Sequence, residues 1–221
     1  MKKYAVIVAG GKGKRMGSTT PKQYLLLDGY PILMHTLYKF YTYDSTINLI
    51  LVLPKSDFDL WNTLCEEHDF DIPLQLTFGG DTRFQSVKNG LDLINTEGLV
   101  AIHDGVRPLV DNTIIDASFK VALQHKNAIT AIPLKDSIRK IDGDKNFAED
   151  RSNYQSIQTP QTFECALIKK AYTTEEQLHF TDDASVAEFA GHKIHLIEGS
   201  YKNIKITTTE DLKIAEVLFL K

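Results

Sequence analysis

Short β-rich runs alternate with amphipathic helical patterns along nearly the whole chain, and this alternation restricts the fold more than any other feature of the sequence. YAVIVA (residues 4–9) reads as a buried first strand, followed by INLILVL (47–53), LQLTF (74–78), LVAIH (99–103) and AITAIPL (128–134). PILMHTLYKFY (31–41) places Pro31 at a first helical position and repeats Leu33, Leu37, Phe40 and Tyr41 at helical spacing. Further helices are expected over about 57–68, after GGDTRFQS with Val87, Leu91 and Ile94 on one face, over 111–125, near 164–178 and 182–190, and from about 208. KIHLIEG (193–199) and NIKIT (203–207) read as later strands. Strands linked through helices predict an α/β fold, a doubly wound and mostly parallel sheet covered on both faces.

One region breaks the rhythm. Residues 135–160, KDSIRKIDGDKNFAEDRSNYQSIQTP, are too polar to read as a core element, yet SIRKIDGDK alternates around an Asp-Gly turn and predicts a hairpin. A lone two-stranded hairpin is marginal in water, so this arm, taken as residues 135–158 of a single domain spanning 1–221, is expected to lean on a partner surface.

The bulk properties exclude more than they assign. A net charge of −4 argues against a general nucleic-acid binder, which needs a broad basic face. Cys65 and Cys165 have no metal or disulfide spacing and read as packed thiols of a reducing compartment. The apolar stretch after Lys2 and Lys3 is too short for a signal-peptide core, and no long apolar run follows. The expectation is a cytoplasmic protein with no membrane segment.

Against that mildly acidic background, VIVAGGKGKRMG (6–17) concentrates positive charge in a loop leaving the first strand. Gly10, Gly11 and Gly13 let the backbone pass close to a ligand and aim N–H groups at it, which makes an anion nest. P-loop spacing fails, because neither Gly10 nor Gly11 has a glycine five residues on. The dinucleotide fingerprint fails at Met16, and Pro54 and Lys55 stand where a ribose-binding acid would close the second strand, so a dinucleotide-dependent oxidoreductase is disfavoured. Lys12, Lys14, Arg15 and Lys22 suit a triphosphate whose charge rises during reaction.

HDGVRP (103–108) lies at the carboxyl end of a strand, the edge at which open α/β sheets bind ligands. Asp81 is a candidate cap for the helix after GGDTRFQS. Thr181 is a candidate N-cap with Asp182 and Asp183 complementing the helix dipole. The seven histidines show no zinc pattern, so no metal-ligating set of side chains is expected.

AGGKGKRMG with PKQYL resembles the signature of nucleotidyltransferases that join a nucleoside triphosphate to a sugar or polyol phosphate. GGDTRFQSVKNGL (79–91), HDGVRP, PLKDSIRK (133–140), QTPQTF (158–163), TDDASVAE (181–188) and NIKIT narrow the resemblance, in order and over almost the full length. They are similar to the 2-C-methyl-D-erythritol 4-phosphate cytidylyltransferases of the non-mevalonate isoprenoid pathway. The resemblance implies a Rossmann-like nucleotidyltransferase fold with a protruding β-arm. It also implies transfer of CMP from CTP to the polyol phosphate with release of pyrophosphate, aided by Mg²⁺ bound mainly through the CTP phosphates. A ribitol-5-phosphate cytidylyltransferase, of the same fold and nucleotide, is the nearest alternative, and a non-catalytic nucleotide sensor would not need so many cations.

The resemblance also implies roles. Arg15, Lys22 and Lys205 would form a catalytic cage around the phosphates. Ala9, Gly10, Gly11, Gly13, Gly79, Gly80, Asp81, Arg83 and Ser86 would hold the nucleotide, the two glycines of GGDTRFQS offering main-chain groups to the cytosine edge. Asp104, Arg107, Asp136, Ser137, Arg151, Thr159 and Thr181 would hold the second substrate, with Asp104 near polyol hydroxyls and Arg107 near the phosphate. His103 reads as structural, because a phosphate nucleophile needs no proton removed near neutral pH. The family interlocks its arms in a homodimer, which would carry Arg151 into the partner's site alongside Asp136 and Ser137.

Overall fold

The computed structural model describes residues 1–10 and 20–219. The chain enters through β1 (Lys3–Val8), passes a short antiparallel pair, β2 (Leu26–Leu27) and β3 (Tyr30–Pro31), and continues into α1 (Ile32–Tyr43) and β4 (Asn48–Leu53). There follow α2 (Phe58–Glu67), β5 (Leu74–Phe78), α3 (Arg83–Asp92), β6 (Leu99–Asp104), α4 (Asn112–His125) and β7 (Asn127–Pro133). The hairpin β8 (Ile138–Asp142) and β9 (Lys145–Glu149) leads to β10 (Gln155–Glu164), α5 (Cys165–Ala171), α6 (Asp183–Phe189), β11 (Leu196–Glu198) and α7 (Thr209–Phe219).

Seven strands form one sheet in the order β11-β7-β10-β6-β1-β4-β5. All pairings are parallel except those of β10, which runs against both β6 and β7. Alternation along the strands serves two cores: Ala5 and Ile7 of β1 face α1, α2 and α4, while Tyr4 and Val6 face α3, α5 and α6. The central strands are apolar on both faces because helices cover both. The doubly wound α/β expectation holds.

The departures have physical causes. Pro31 is the N-cap of α1 and pairs in β3, so the helix opens one residue later than expected. The helix expected over 164–178 stops at Ala171. KIHLIEG contributes only Leu196–Glu198, and NIKIT forms no strand; its backbone makes local turn bonds, Asn203 N to Ser200 O and Ile204 N to Lys202 O, and reaches Val106 O from Ile206 N at 2.9 Å. Asp182, not Thr181, caps α6 in a reciprocal box with Ser185. Thr82, not Asp81, caps α3 by accepting from Gln85 N.

The largest difference is β10, which runs through the centre of the sheet although its sequence reads as polar loop. Gln158, Thr159, Gln161 and Thr162 are buried in it, and each has its hydrogen bonds. Gln161 donates to Asp182 and accepts from Ala184 N, and Thr162 Oγ1 donates to Ser118 Oγ. The hairpin β8–β9 forms as expected and pairs with no strand of the main sheet; Ile141 and Phe147 are exposed on it.

Candidate functional site

The carboxyl ends of β1, β4 and β6 open onto a cleft of about 710 Å³. Backbone bonds continue the ladders beyond these strand ends: Ala9 N to Val52 O at 3.0 Å, Gly79 N to Leu53 O at 2.7 Å and Gly105 N to Val8 O at 2.9 Å. The loops that carry the candidate residues are thereby fixed by the rigid sheet. Thr36 Oγ1 of α1 adds a bond to Gly105 O at 3.0 Å.

The GGDTRFQS turn is held from within. Ser86 Oγ accepts from Gly80 N at 3.0 Å and donates to Thr82 O at 2.8 Å, while Gln85 Oε1 accepts from Asp81 N at 3.0 Å. A Cβ on Gly80 would fall 2.3 Å from Gln85 Cβ, so this close approach requires glycine. The N–H of Gly79 is spent on Leu53 O at the end of β4 and that of Gly80 on Ser86 Oγ. Gln85 Nε2 also donates to Glu176 at 3.2 Å, tying the turn to the segment after α5.

Asp104 is the electrostatic centre. It is buried, and its Oδ2 lies 3.2 Å from Arg107 Nε and 3.0 Å from Lys205 Nζ, while Oδ1 lies 3.9 Å from Arg83 Nε. Burial alone would push its carboxyl up; Lys205, Arg83 and Arg107 more than offset this and hold it well below the usual carboxylate range. Asp104 therefore acts only as an acceptor. Behind it, His103 Nε2 meets Arg107 O at 3.2 Å and its Nδ1 meets Thr159 Oγ1 at 3.0 Å, with burial pushing the imidazole down to about 4. This neutral, enclosed ring fits the structural role expected of it.

Ala9, Gly10, Lys22, Gly79, Gly80, Asp81, Arg83, Ser86, Asp104 and Lys205 all border the cleft. Gly11, Gly13 and Arg15 lie outside the described residues. Arg83 was expected on the nucleotide, but both its terminal nitrogens are committed to Asp183, at 2.9 and 2.6 Å. Arg107 was expected on a phosphate; its guanidinium is buried beside Asp104 and donates to Asn203 O at 2.8 Å, away from the cleft lining. Thr159 is likewise buried, its Oγ1 accepting from Asp104 N at 3.1 Å. Asp136, Ser137, Arg151 and Thr181 are exposed and do not line the cleft; Arg151 donates to Lys135 O at the root of the hairpin.

Sequence reasoning missed Lys55, Gln85 and Asp183. Lys55 lines the cleft with its ammonium 5.6 Å from the Phe78 ring centroid; in the sequence it stands out only as a residue that is not the ribose-binding acid of a dinucleotide site. For Gln85 and Asp183 the local sequence gives a motif position and a helix-dipole role but not their partners Glu176 and Arg83, which are set by the tertiary fold.

The donor set bears on the expected magnesium ion. Asp81 and Asp104 are the carboxylates of the cleft lining, Asp104 is already surrounded by cations, and among the described residues no three His, Cys, Asp or Glu side chains converge. Magnesium keeps several waters and binds through phosphates with one or two carboxylates. These donors fit an ion carried on a triphosphate.

Comparison with known proteins agrees with the geometry. The IspD family model, 2-C-methyl-D-erythritol 4-phosphate cytidylyltransferase, matches residues 4–221. A Bacteroides thetaiotaomicron protein of that name is 49% identical over 99% of this chain and 100% of its own, and one from Clostridium botulinum is 41% identical over 97% of each. The crystal structure of 4-diphosphocytidyl-2C-methyl-D-erythritol synthase from Anaerococcus prevotii superposes with a TM-score of 0.84 at 32% identity, covering 100% of this chain and 96% of that one. The Thermus thermophilus cytidylyltransferase gives 0.81 at 26% identity, covering both chains fully. With family, relatives and fold in agreement over its length, the chain belongs to the 2-C-methyl-D-erythritol 4-phosphate cytidylyltransferase family.

Proposed function

We propose that this protein transfers CMP from CTP to 2-C-methyl-D-erythritol 4-phosphate, giving 4-diphosphocytidyl-2-C-methyl-D-erythritol and pyrophosphate. The observation that carries the reading is the cleft itself, where Lys22, Lys55 and Lys205 meet the GGDTRFQS turn at the carboxyl ends of parallel strands in a chain of this family. A phosphate oxygen of the polyol attacks the α-phosphorus of CTP, and the bond to pyrophosphate breaks without a covalent enzyme intermediate. An anion attacking an anion is opposed by charge, so the protein contributes alignment and neutralisation. Lys22 and Lys205 hold the phosphates, with Arg15 assigned to the same cage by family resemblance. Because the N–H groups of Gly79 and Gly80 are already engaged, with Leu53 O and Ser86 Oγ, it is the carbonyl oxygens of these glycines that accept from the cytosine amine. Asp104, held ionised, accepts from polyol hydroxyls, while Arg107, Thr159 and His103 keep it in place. Magnesium, bound with the triphosphate, would supply further charge neutralisation there.

The protein works as a homodimer in this reading. The β8–β9 hairpin exposes Ile141 and Phe147 and pairs with no strand of the main sheet, and Arg151, Asp136 and Ser137 stand at its root, outside their own cleft. Crossing into a partner would bring them to the polyol phosphate. Among the described residues no helix is long and apolar enough to cross a membrane. Cys65 and Cys165 are free, unbridged thiols, which suits a reducing, cytoplasmic setting.

A panel of nucleoside triphosphates and polyol phosphates, read by pyrophosphate release, tests the reading. Turnover is expected with CTP, 2-C-methyl-D-erythritol 4-phosphate and Mg²⁺. Turnover only with ribitol 5-phosphate would reassign the substrate, and NAD(H)-dependent turnover would discard the transferase.

A further inference from the structure

Among the described residues three cations surround Asp104, and they are held in different ways. Arg107 is tethered by its bond to Asn203 O, and that asparagine is itself anchored by donating from Nδ2 to Thr159 O at 2.9 Å. Arg83 is tethered more strongly, both terminal nitrogens lying against Asp183 while its Nε faces Asp104. Lys205 pairs with Asp104 at 3.0 Å, and no second carboxylate lies within salt-bridge distance of it among the described residues; its side chain is 40% exposed at the cleft. Two of the counter-charges are fixed. The third is held, among the described residues, by Asp104 alone.

Asp183 is fully buried, and its carboxylate is satisfied from two sides: by Arg83, and by Tyr172 Oη, which donates to Oδ1 at 2.6 Å. A buried ion pair is poor value as a stabiliser, since apolar residues of similar volume often serve as well. Here its effect is directional. Asp183 takes the terminal edge of the guanidinium and leaves only Nε turned towards the cleft, next to the carboxylate that Lys205 also holds.

We propose that Asp183 is a positioning residue for the reaction: by fixing Arg83 beside Asp104, it keeps Asp104 paired while Lys205 exchanges from that carboxylate to the nucleotide phosphates. The inference rests on the reading above, in which Lys205 serves a bound triphosphate. A cation leaving a weakly exposed carboxylate pays for the lost attraction, and the cost is smaller when other cations stay behind. With Arg83 released, Asp104 would retain one tethered partner, Arg107. Lys205 would then remain on Asp104, and the phosphates would lose it.

The test follows Lys205 directly. In the full-length protein with ¹³C-dimethylated lysines, the Lys205 signal, assigned by its loss in Lys205→Arg, is followed as CTP and Mg²⁺ are added. In the wild type it is expected to move from its Asp104-paired position. In Asp183→Asn it is expected to stay, with kcat/KM at least about 10-fold lower. The milder Tyr172→Phe, which keeps its ring stacked on Phe84 at 4.6 Å, should fall about 3-fold and decides the matter if Asp183→Asn does not fold. In an Asp104→Asn background either substitution should change the rate by less than about 2-fold, because the carboxylate that retains Lys205 is gone. A role confined to stability would instead lower the rate equally in both backgrounds and leave the Lys205 response intact, and that result overturns the inference. A wild-type Lys205 signal indifferent to CTP would overturn the reading beneath it as well.

Discussion

His103 gives a prediction whose size follows from its surroundings. Arg107 O can only accept, so Nε2 carries the proton, and Nδ1 accepts from Thr159 Oγ1, which in turn accepts from Asp104 N. The neutral ring satisfies every partner. Protonation would charge a fully buried imidazole, and burial, with Arg107 and Lys205 adding to it against the pull of Asp104, lowers its pKa from an ordinary 6.5 to about 4. Because the folded value is the lower one, the unfolded chain binds the extra proton first as pH falls. The stability contribution is therefore whole above about pH 6.5 and is lost as the pH falls towards 4. At about 1.4 kcal/mol for each pH unit of that interval, the loss is about 3 kcal/mol. Urea unfolding of the wild type and of His103→Gln between about pH 7.5 and pH 4 measures it. His35 and His195 are also shifted down and contribute to the wild-type slope, but they remain in the variant and cancel in the difference. The wild type should lose about 3 kcal/mol more than the variant across the window. Equal slopes would mean that His103 is already charged or already solvated, and the closed chain from Thr159 to Arg107 would be wrong.

Lys22→Ala and Lys205→Ala should each fold normally by circular dichroism yet lose about 2–4 kcal/mol of transition-state stabilisation, the scale of one preorganised electrostatic contact; kcat/KM within a few-fold of wild type would remove that lysine from the cage. Arg151→Ala and Lys22→Ala should each be nearly inactive as homodimers, but co-expression should restore activity, because a mixed dimer carries one site with both lesions and one with neither. No recovery in a preparation shown to contain heterodimers would place Arg151 in its own subunit's chemistry or outside it.

The elements the sequence made legible are those whose burial is written into local periodicity. β4, β6 and their neighbours are apolar on both faces, and α1 carries a helical stripe, so their place between two cores could be read without the fold. The strand-end loops were legible for the same reason, because a glycine-rich turn after a buried strand leaves few other interpretations. β10 was not legible. Its core positions are Gln158, Thr159, Gln161 and Thr162, which carry the signature of a loop unless their partners are known, and those partners come from Asp104, Ser118, Asp182, Ala184 and Ser200. The anchoring partners of Arg83 and Arg107 were equally hidden. A cation in a functional motif suggests a ligand, but Asp183 lies a hundred residues from Arg83 and claims both of its terminal nitrogens.

That same polar strand explains why the site is rigid where it must be. β10 runs antiparallel between β6 and β7, so its bonds bridge two parallel halves of the sheet just where the HDGVRP loop leaves β6. An apolar residue in place of Thr159 would pack there but would leave Asp104 N and His103 Nδ1 without partners, at a cost of about 1–3 kcal/mol for each buried group. Gln158 does the same on the other side, donating to Ser200 O and accepting from Asn203 Nδ2, and so anchors the segment that carries Lys205. The polar residues of β10 thus join the acceptor of the cleft, Asp104, through fixed backbone to Lys205, which among the described residues pairs with no other carboxylate. The carboxylate stays in place, and the movement is left to the lysine side chain.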